Sequence, residues 1–143
     1  MLGKKVMKCI LLVLIFVGLQ AQDDVDISVN EKKYDVKTIN EISSDVYKSD
    51  RQVGVPFKLI TKAIDISIEI WDEALVKKGI TSIDEKRRII IENTGEFYIR
   101  ENGKYILIYY VLNSGSLFGH SCGQQELIYE KESKTIISIR VGP

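Results

Sequence analysis

The sequence predicts an α+β domain, one long helix packed on a curved antiparallel sheet. Three observations carry that reading. Pro56 to Gly79 reads as one uninterrupted helix, PFKLITKAIDISIEIWDEALVKKG. The remainder of the chain, from about Arg87 on, runs in short apolar stretches with strand-like alternation. Asn102-Gly103 falls between two of those stretches, and both residues accept the positive φ of a type I′ hairpin turn. A helix followed by antiparallel strands places helices on one face of the sheet.

The chain of 143 residues opens with Lys4, Lys5 and Lys8, then the apolar run CILLVLIFVGL, then Gln20-Ala21-Gln22. Basic, apolar and small residues in that order are the layout of a secretory signal, here residues 1–21 with cleavage after Ala21. The run is shorter than the roughly 20 residues that span a bilayer. An uncleaved signal segment is the alternative, and the one expected contact with a membrane. Cys9 opens the run, whereas a lipid-attachment cysteine should close it.

Cleavage removes three Lys from 20 basic residues and leaves 17 against 20 acidic ones. That balance argues against nucleic acid as a partner, since such proteins carry a basic face. Cys122 is the one cysteine left, so no internal disulfide can form. An exported domain without disulfides fits a bacterial periplasm better than a disulfide-dense eukaryotic secreted module.

Residues 22–55 read as an N-terminal arm or edge strand. Val25, Ile27 and Val29 alternate with Asp26 and Ser28, and Asn30 to Lys33 form a turn. Thr38–Tyr47 is a short helix or a loose arm. Residues 56–143 hold the helix and the sheet. Pro56 suits a first helical turn, and Gly79 after Lys77-Lys78 suits the end of one. Ile60, Ile64, Ile68, Trp71 and Leu75 form one stripe, widened by Ala63, Ala74 and Ile70. Ile64, Ile66, Ile68 and Ile70 also alternate as a strand would, but about 20 residues without a turn favour a helix.

Thr81–Glu85 reads as a turn or one capped helical turn, and Arg87–Asn93 as a first strand. Gly95–Glu101 follows, and Lys104–Leu112 is apolar on both faces, hence central. Asn113–Gly123 is a Gly/Ser-rich loop. QELIYEK and TIISIRV then pair across Glu132-Ser133-Lys134.

Candidate sites are few. His120 and Cys122 share the loop, and a thiolate with a neighbouring base is a nucleophile in principle. Residues two apart on an extended segment seldom meet in the required hydrogen bond, and no acid is placed to orient the imidazole. Two ligands are too few for a metal site, and the loop glycines lack the GK[ST] of a phosphate loop. No cofactor is expected. Asp84/Glu85 and Glu130/Glu132 read as solvated turn acids. Tyr109 and Tyr110 must face opposite sides of their strand, one toward the core and one toward solvent or a partner.

The segment Cys122–Ile137, CGQQELIYEKESKTII, resembles the bacterial immunity proteins of the nuclear transport factor 2 fold, a cystatin-like α+β architecture. Gly123, Glu130-Lys131 and Ile136 match that pattern, while Cys122 and Lys134 stand where the family has glycines. Ala63-Ile64-x-Ile66 through Trp71 is similar to the family's helix, and Tyr105-Ile106-Leu107 to its Trp-x-Val strand; Arg87-Arg88 replaces its Pro-Phe. The likeness spans about residues 57–143. It implies an exported, non-enzymatic protein that binds and occludes a cognate toxin, with no catalytic residues carried over. Its partner surface would be the concave sheet face and the Asn113–Gly123 loop, with Tyr109 or Tyr110, Phe118 and His120 as contacts. The rival is a small-ligand-binding or hydrolytic domain of the same fold, using a helix–sheet pocket near His120 and Cys122. A structural envelope protein without a discrete site is the third reading.

Overall fold

The computed structural model describes residues 26–49, 57–113 and 123–142. The expected signal segment, Pro56, and loop residues 114–122 lie outside the described residues. Among those described, no helix is long and apolar enough to cross a membrane.

The architecture is α+β. In chain order it comprises β1 (Ser28–Val29), α1 (Val36–Tyr47), α2 (Phe57–Lys77), α3 (Ile83–Glu92), β2 (Thr94–Glu101), β3 (Tyr105–Leu112), β4 (Gly123–Glu130) and β5 (Thr135–Gly142). The sheet order is β1-β5-β4-β3-β2. Strands β2 to β5 are an antiparallel meander, whereas β1 pairs parallel with β5. The sheet is therefore mixed, not wholly antiparallel as the sequence reading has it. The expected edge strand is present, reduced to two residues.

Three helices form: the expected long one, the short one offered for Thr38–Tyr47, which begins at Val36, and an unexpected third over Ile83–Glu92. Asp35 caps α1, its Oδ1 accepting from Thr38 N at 2.8 Å, and hydrogen bonding to the Thr38 side chain and then to its backbone holds the carboxyl below the usual range. Ile39, Ile42 and Val46 then fall on one buried stripe. That stripe packs on Leu107, Ile128 and Ile137, on the sheet face opposite α2. Helices thus cover both faces, and the expectation of helices on one face only is corrected.

The central helix runs as the sequence reading has it. Gly79, at φ +80°, closes α2 in a Schellman motif: Ile80 N–H donates to Leu75 O and Gly79 N–H to Val76 O. Ile80 and Leu75, both buried, share the same cluster. The buried face is wider than the expected stripe. Ile66 is in the core, and Ile70 is 38% exposed. The extra flank is covered because α3 packs beside α2, tied by Arg87 to Asp65 at 3.0 Å and Lys86 to Asp72 at 2.6 Å.

Arg87–Asn93 is not a strand but the body of α3. Ser82 accepts from Glu85 N at 3.2 Å, and Asp84 and Glu85 sit in the positive first turn. Ile90 and Ile91 turn inward beside Arg87, and Asn93 Nδ2 donates to Ile89 O at 2.7 Å to end the helix. Three consecutive isoleucines favour a strand in isolation. The cap and a partner helix outweigh that preference.

The hairpin forms at the expected place but one residue later. Asn102 N–H donates to Tyr105 O, leaving Gly103 and Lys104 at the tip. Gly103 has φ +96°, and Asn102, outside the positive region, instead accepts at Oδ1 from Tyr105 N at 3.0 Å. Only the first tip residue needs positive φ, as in a type II′ rather than a type I′ turn.

Candidate partner-binding surface

Alternation along β3 settles the two tyrosines. Ile106, Ile108, Tyr110 and Leu112 face α2 and α3, and Leu107 faces α1. Tyr110 is 4% exposed, and its hydroxyl donates to Ala63 O at 3.1 Å and meets Ser67 Oγ at 2.6 Å. Ser67 in turn donates to Gln125 Oε1 at 2.7 Å. Burial pushes the Tyr110 phenol up to about 12, so it stays neutral. Tyr110 is a core residue and contributes no exposed contact. Tyr109, half-buried, points the other way.

Tyr109 belongs to a row that crosses four strands. Tyr98, Tyr109, Glu126 and Arg140 are successive cross-strand partners on β2, β3, β4 and β5. Tyr98 and Tyr109 stack with centroids 4.7 Å apart and planes at 28°. Tyr47, from the last turn of α1, meets Tyr98 edge-on at 6.4 Å. Its hydroxyl donates to Glu126 Oε2 at 3.1 Å, and Ser43 Oγ donates to Oε1 at 3.4 Å. Arg140 Nε approaches the same carboxylate at 3.8 Å. Arg100 lies over the Tyr98 ring at 5.7 Å and donates from Nη1 to the carbonyls of Tyr47 and Ser49.

The next row outward is Glu96, Val111, Gln124 and Gly142, with Glu96 and Gln124 exposed. This end of the sheet is where Leu112 and Gly123 pair, so the loop between them springs from beside the tyrosine row. Burial, aided by Tyr98, Glu96 and Glu126, raises the Tyr109 phenol; burial likewise raises that of Tyr47. Both rings stay neutral at physiological pH and present apolar faces with a polar tip.

A second polar centre lies at the other end of the sheet. Glu130, 8% exposed, takes Lys33 Nζ, the Tyr34 hydroxyl and Ser133 Oγ. Burial alone would raise its carboxyl, but those donors outweigh it and hold the group below its usual value. Hydrogen bonding to Glu130 pushes the Tyr34 phenol up to about 12. A pocket of about 480 Å³ adjoins it, lined by Tyr34, Lys104, Tyr105, Lys131 and Glu132 among others. Glu130 is therefore not the solvated turn acid of the sequence reading. It anchors the segment before α1 to the β4–β5 turn. Glu132, Asp84 and Glu85 are exposed.

Phe118, His120 and Cys122 fall outside the described residues. Among the described residues no group of three or more His, Cys, Asp or Glu could hold a metal ion. Sequence reasoning reached Tyr109 from strand alternation but missed Tyr47, Glu126 and Arg140. These meet Tyr109 only through cross-strand register and the placement of α1, which no local pattern encodes.

No family model, curated protein or solved structure matches this chain. The geometry of the row therefore bears the functional argument. It offers stacked aromatic faces, a bound carboxylate and two guanidinium groups, and among these described residues no nucleophile–base pair.

Proposed function

We propose that the protein is an exported, non-enzymatic binding protein that docks a partner protein on the Tyr98–Tyr109 end of the sheet. The supporting observation is the stacked, half-buried tyrosine pair on the end of the sheet where Leu112 and Gly123 pair. Tyrosines of this kind supply large contact area at low entropy cost and are enriched among the residues that dominate interface energy. The partner class follows from the resemblance of the last third of the chain to immunity proteins. On that reading the partner is a cognate toxin, blocked by occlusion in the periplasm. The cystatin-like assignment of the fold rests on the same resemblance, together with a long α2 lying across the β2–β5 meander. Helix α1 on the opposite face is the feature that assignment must accommodate.

The rival, a ligand pocket between helix and sheet, has less support. Ala63, Ser67, Tyr110 and Gln125 fill that layer in mutual contact.

The test uses the chain and its Tyr109→Ala variant as baits in a lysate of the source organism, read by mass spectrometry. The expected result is one stoichiometric protein partner, toxic when expressed alone, held by the parent and lost from Tyr109→Ala. A small molecule co-purifying with both baits would overturn the proposal. So would a partner that the variant retains undiminished.

A further inference from the structure

Strand β2 lies at one edge of the sheet. Ladder parity fixes which of its backbone groups point outward. Asn102 N–H donates to Tyr105 O, so the Asn102–Tyr105 pair is hydrogen-bonded and Glu101–Ile106 is not. Alternation then directs the amides and carbonyls of Arg100, Tyr98 and Glu96 at β3, and those of Glu101, Ile99 and Phe97 away from it. Two contacts agree with this parity. The Glu101 carbonyl is met by Ser49 Oγ, and beyond the irregularity at Gly95 the Asn93 carbonyl accepts from Asn113 N at 2.7 Å. No strand pairs with this side of β2 among the described residues. Phe97, Tyr98 and Ile99 are nonetheless half-exposed, an apolar edge of the sort that recruits another strand.

The side chains are self-complementary about Tyr98. Laid antiparallel to a two-fold copy centred there, Phe97 and Ile99 fall opposite Ile99 and Phe97 of the second copy. Their outward groups would then close four backbone hydrogen bonds. Glu96 falls opposite Arg100, and Arg100 opposite Glu96. Both pairs lie on the α1 face, since residues 96, 98 and 100 share one side of the strand. Opposite charges directly across an antiparallel pair stabilise it, and like charges destabilise it. Arg100 uses Nη1 for the Tyr47 and Ser49 carbonyls, and its guanidinium carries further donors on Nε and Nη2 for a carboxylate. A slip of two residues would set Glu96 or Arg100 opposite Tyr98 and lose both charge pairs, and a slip of four would set Glu96 opposite Glu96 or Arg100 opposite Arg100, so the charges select the Tyr98-centred register.

We infer that the protein forms a two-fold dimer through antiparallel β2–β2 pairing centred on Tyr98, with Glu96 of each chain facing Arg100 of the other. A closed, isologous contact of this type uses up both β2 edges, which no described strand covers, and adds no further copies. It also brings the two Tyr98–Tyr109 surfaces side by side. The inference does not depend on the proposed partner, since it rests on backbone parity and charge alone.

Sedimentation equilibrium of the purified protein over a range of concentrations tests it, with circular dichroism to check folding. The parent should self-associate to a dimer. Glu96→Arg, which sets two cations against each other at both ends of the pairing, should weaken the dimer at least about tenfold. Combining it with Arg100→Glu reverses both charges and should return the dissociation constant to within about threefold of the parent. Ile99→Pro removes an outward amide without touching the β3 ladder and should also abolish the dimer. A parent that stays monomeric at high concentration overturns the inference. A dimer unmoved by Glu96→Arg or by Ile99→Pro overturns it too, because it must then use another surface.

Discussion

Gly123 lies against the indole of Trp71. A Cβ on residue 123 would stand 2.8 Å from Trp71 Cζ2, closer than side-chain carbons approach in proteins. Strand β4 therefore begins on a glycine because α2 has set a rigid, half-buried ring there. Gly123→Ala should lower stability by about 1–3 kcal/mol, the usual cost of overpacking. Urea denaturation should recover most of that loss when Trp71→Phe is added, since the smaller ring vacates the space. Independent, additive losses would show that the contact is not the cause.

Tyr109 and Tyr110, adjacent in sequence, should respond to mutation in opposite ways. Tyr110→Phe removes the hydroxyl that meets Ser67 and Ala63 and should cost about 1 kcal/mol of stability without altering partner affinity. Ser67→Ala should cost about 1–3 kcal/mol, because it removes the donor to the buried Gln125 Oε1. Tyr109→Ala should change the denaturation midpoint less than Ser67→Ala, yet weaken the partner by about 2 kcal/mol or more. Calorimetric binding alongside urea titrations separates the two effects.

Stability should fall at both pH extremes through one pair of groups. The Glu130 carboxyl is held below its ordinary value, so its contribution is present above about pH 4.5 and lost as pH falls through the folded-state value. The Tyr34 phenol is raised to about 12, so its contribution is present below pH 10 and lost as pH rises from 10 to 12. Melting temperature measured against pH should show a shallower acid limb for Glu130→Gln. For Tyr34→Phe the alkaline limb should flatten instead.

Lys134 adopts a left-handed conformation, φ 52°, in the β4–β5 turn. A lysine pays roughly 1 kcal/mol there, which glycine does not. Lys134→Gly should raise the melting temperature, and Lys134→Val should lower it.

Much of the fold is legible in particular residues. Gly79 ends α2 because the left-handed turn costs glycine little. The apolar run Ile106, Leu107, Ile108 is apolar on both faces because both faces of β3 are covered. Ser82-Ile83-Asp84-Glu85 carries the spacing of a capping box, and that signal marks α3 correctly where the isoleucine run does not. The α1 stripe of Ile39, Ile42 and Val46 is equally present in the sequence, thinned by the polar residues between.

By itself, then, the chain determined where α2 stops, where the β2–β3 hairpin turns to within one residue, that β3 lies inside the sheet and not at its edge, and which way each β3 side chain alternates. These are local properties, set by backbone conformation, capping and period. The tertiary structure alone decided that α1 covers the face opposite α2, that β1 joins β5 in parallel, and that Tyr98, Tyr109, Glu126 and Arg140 form one row. Such relationships join residues far apart in sequence. They follow from strand register and from which apolar faces find each other, both set by the global minimum of burial rather than by any neighbouring residue.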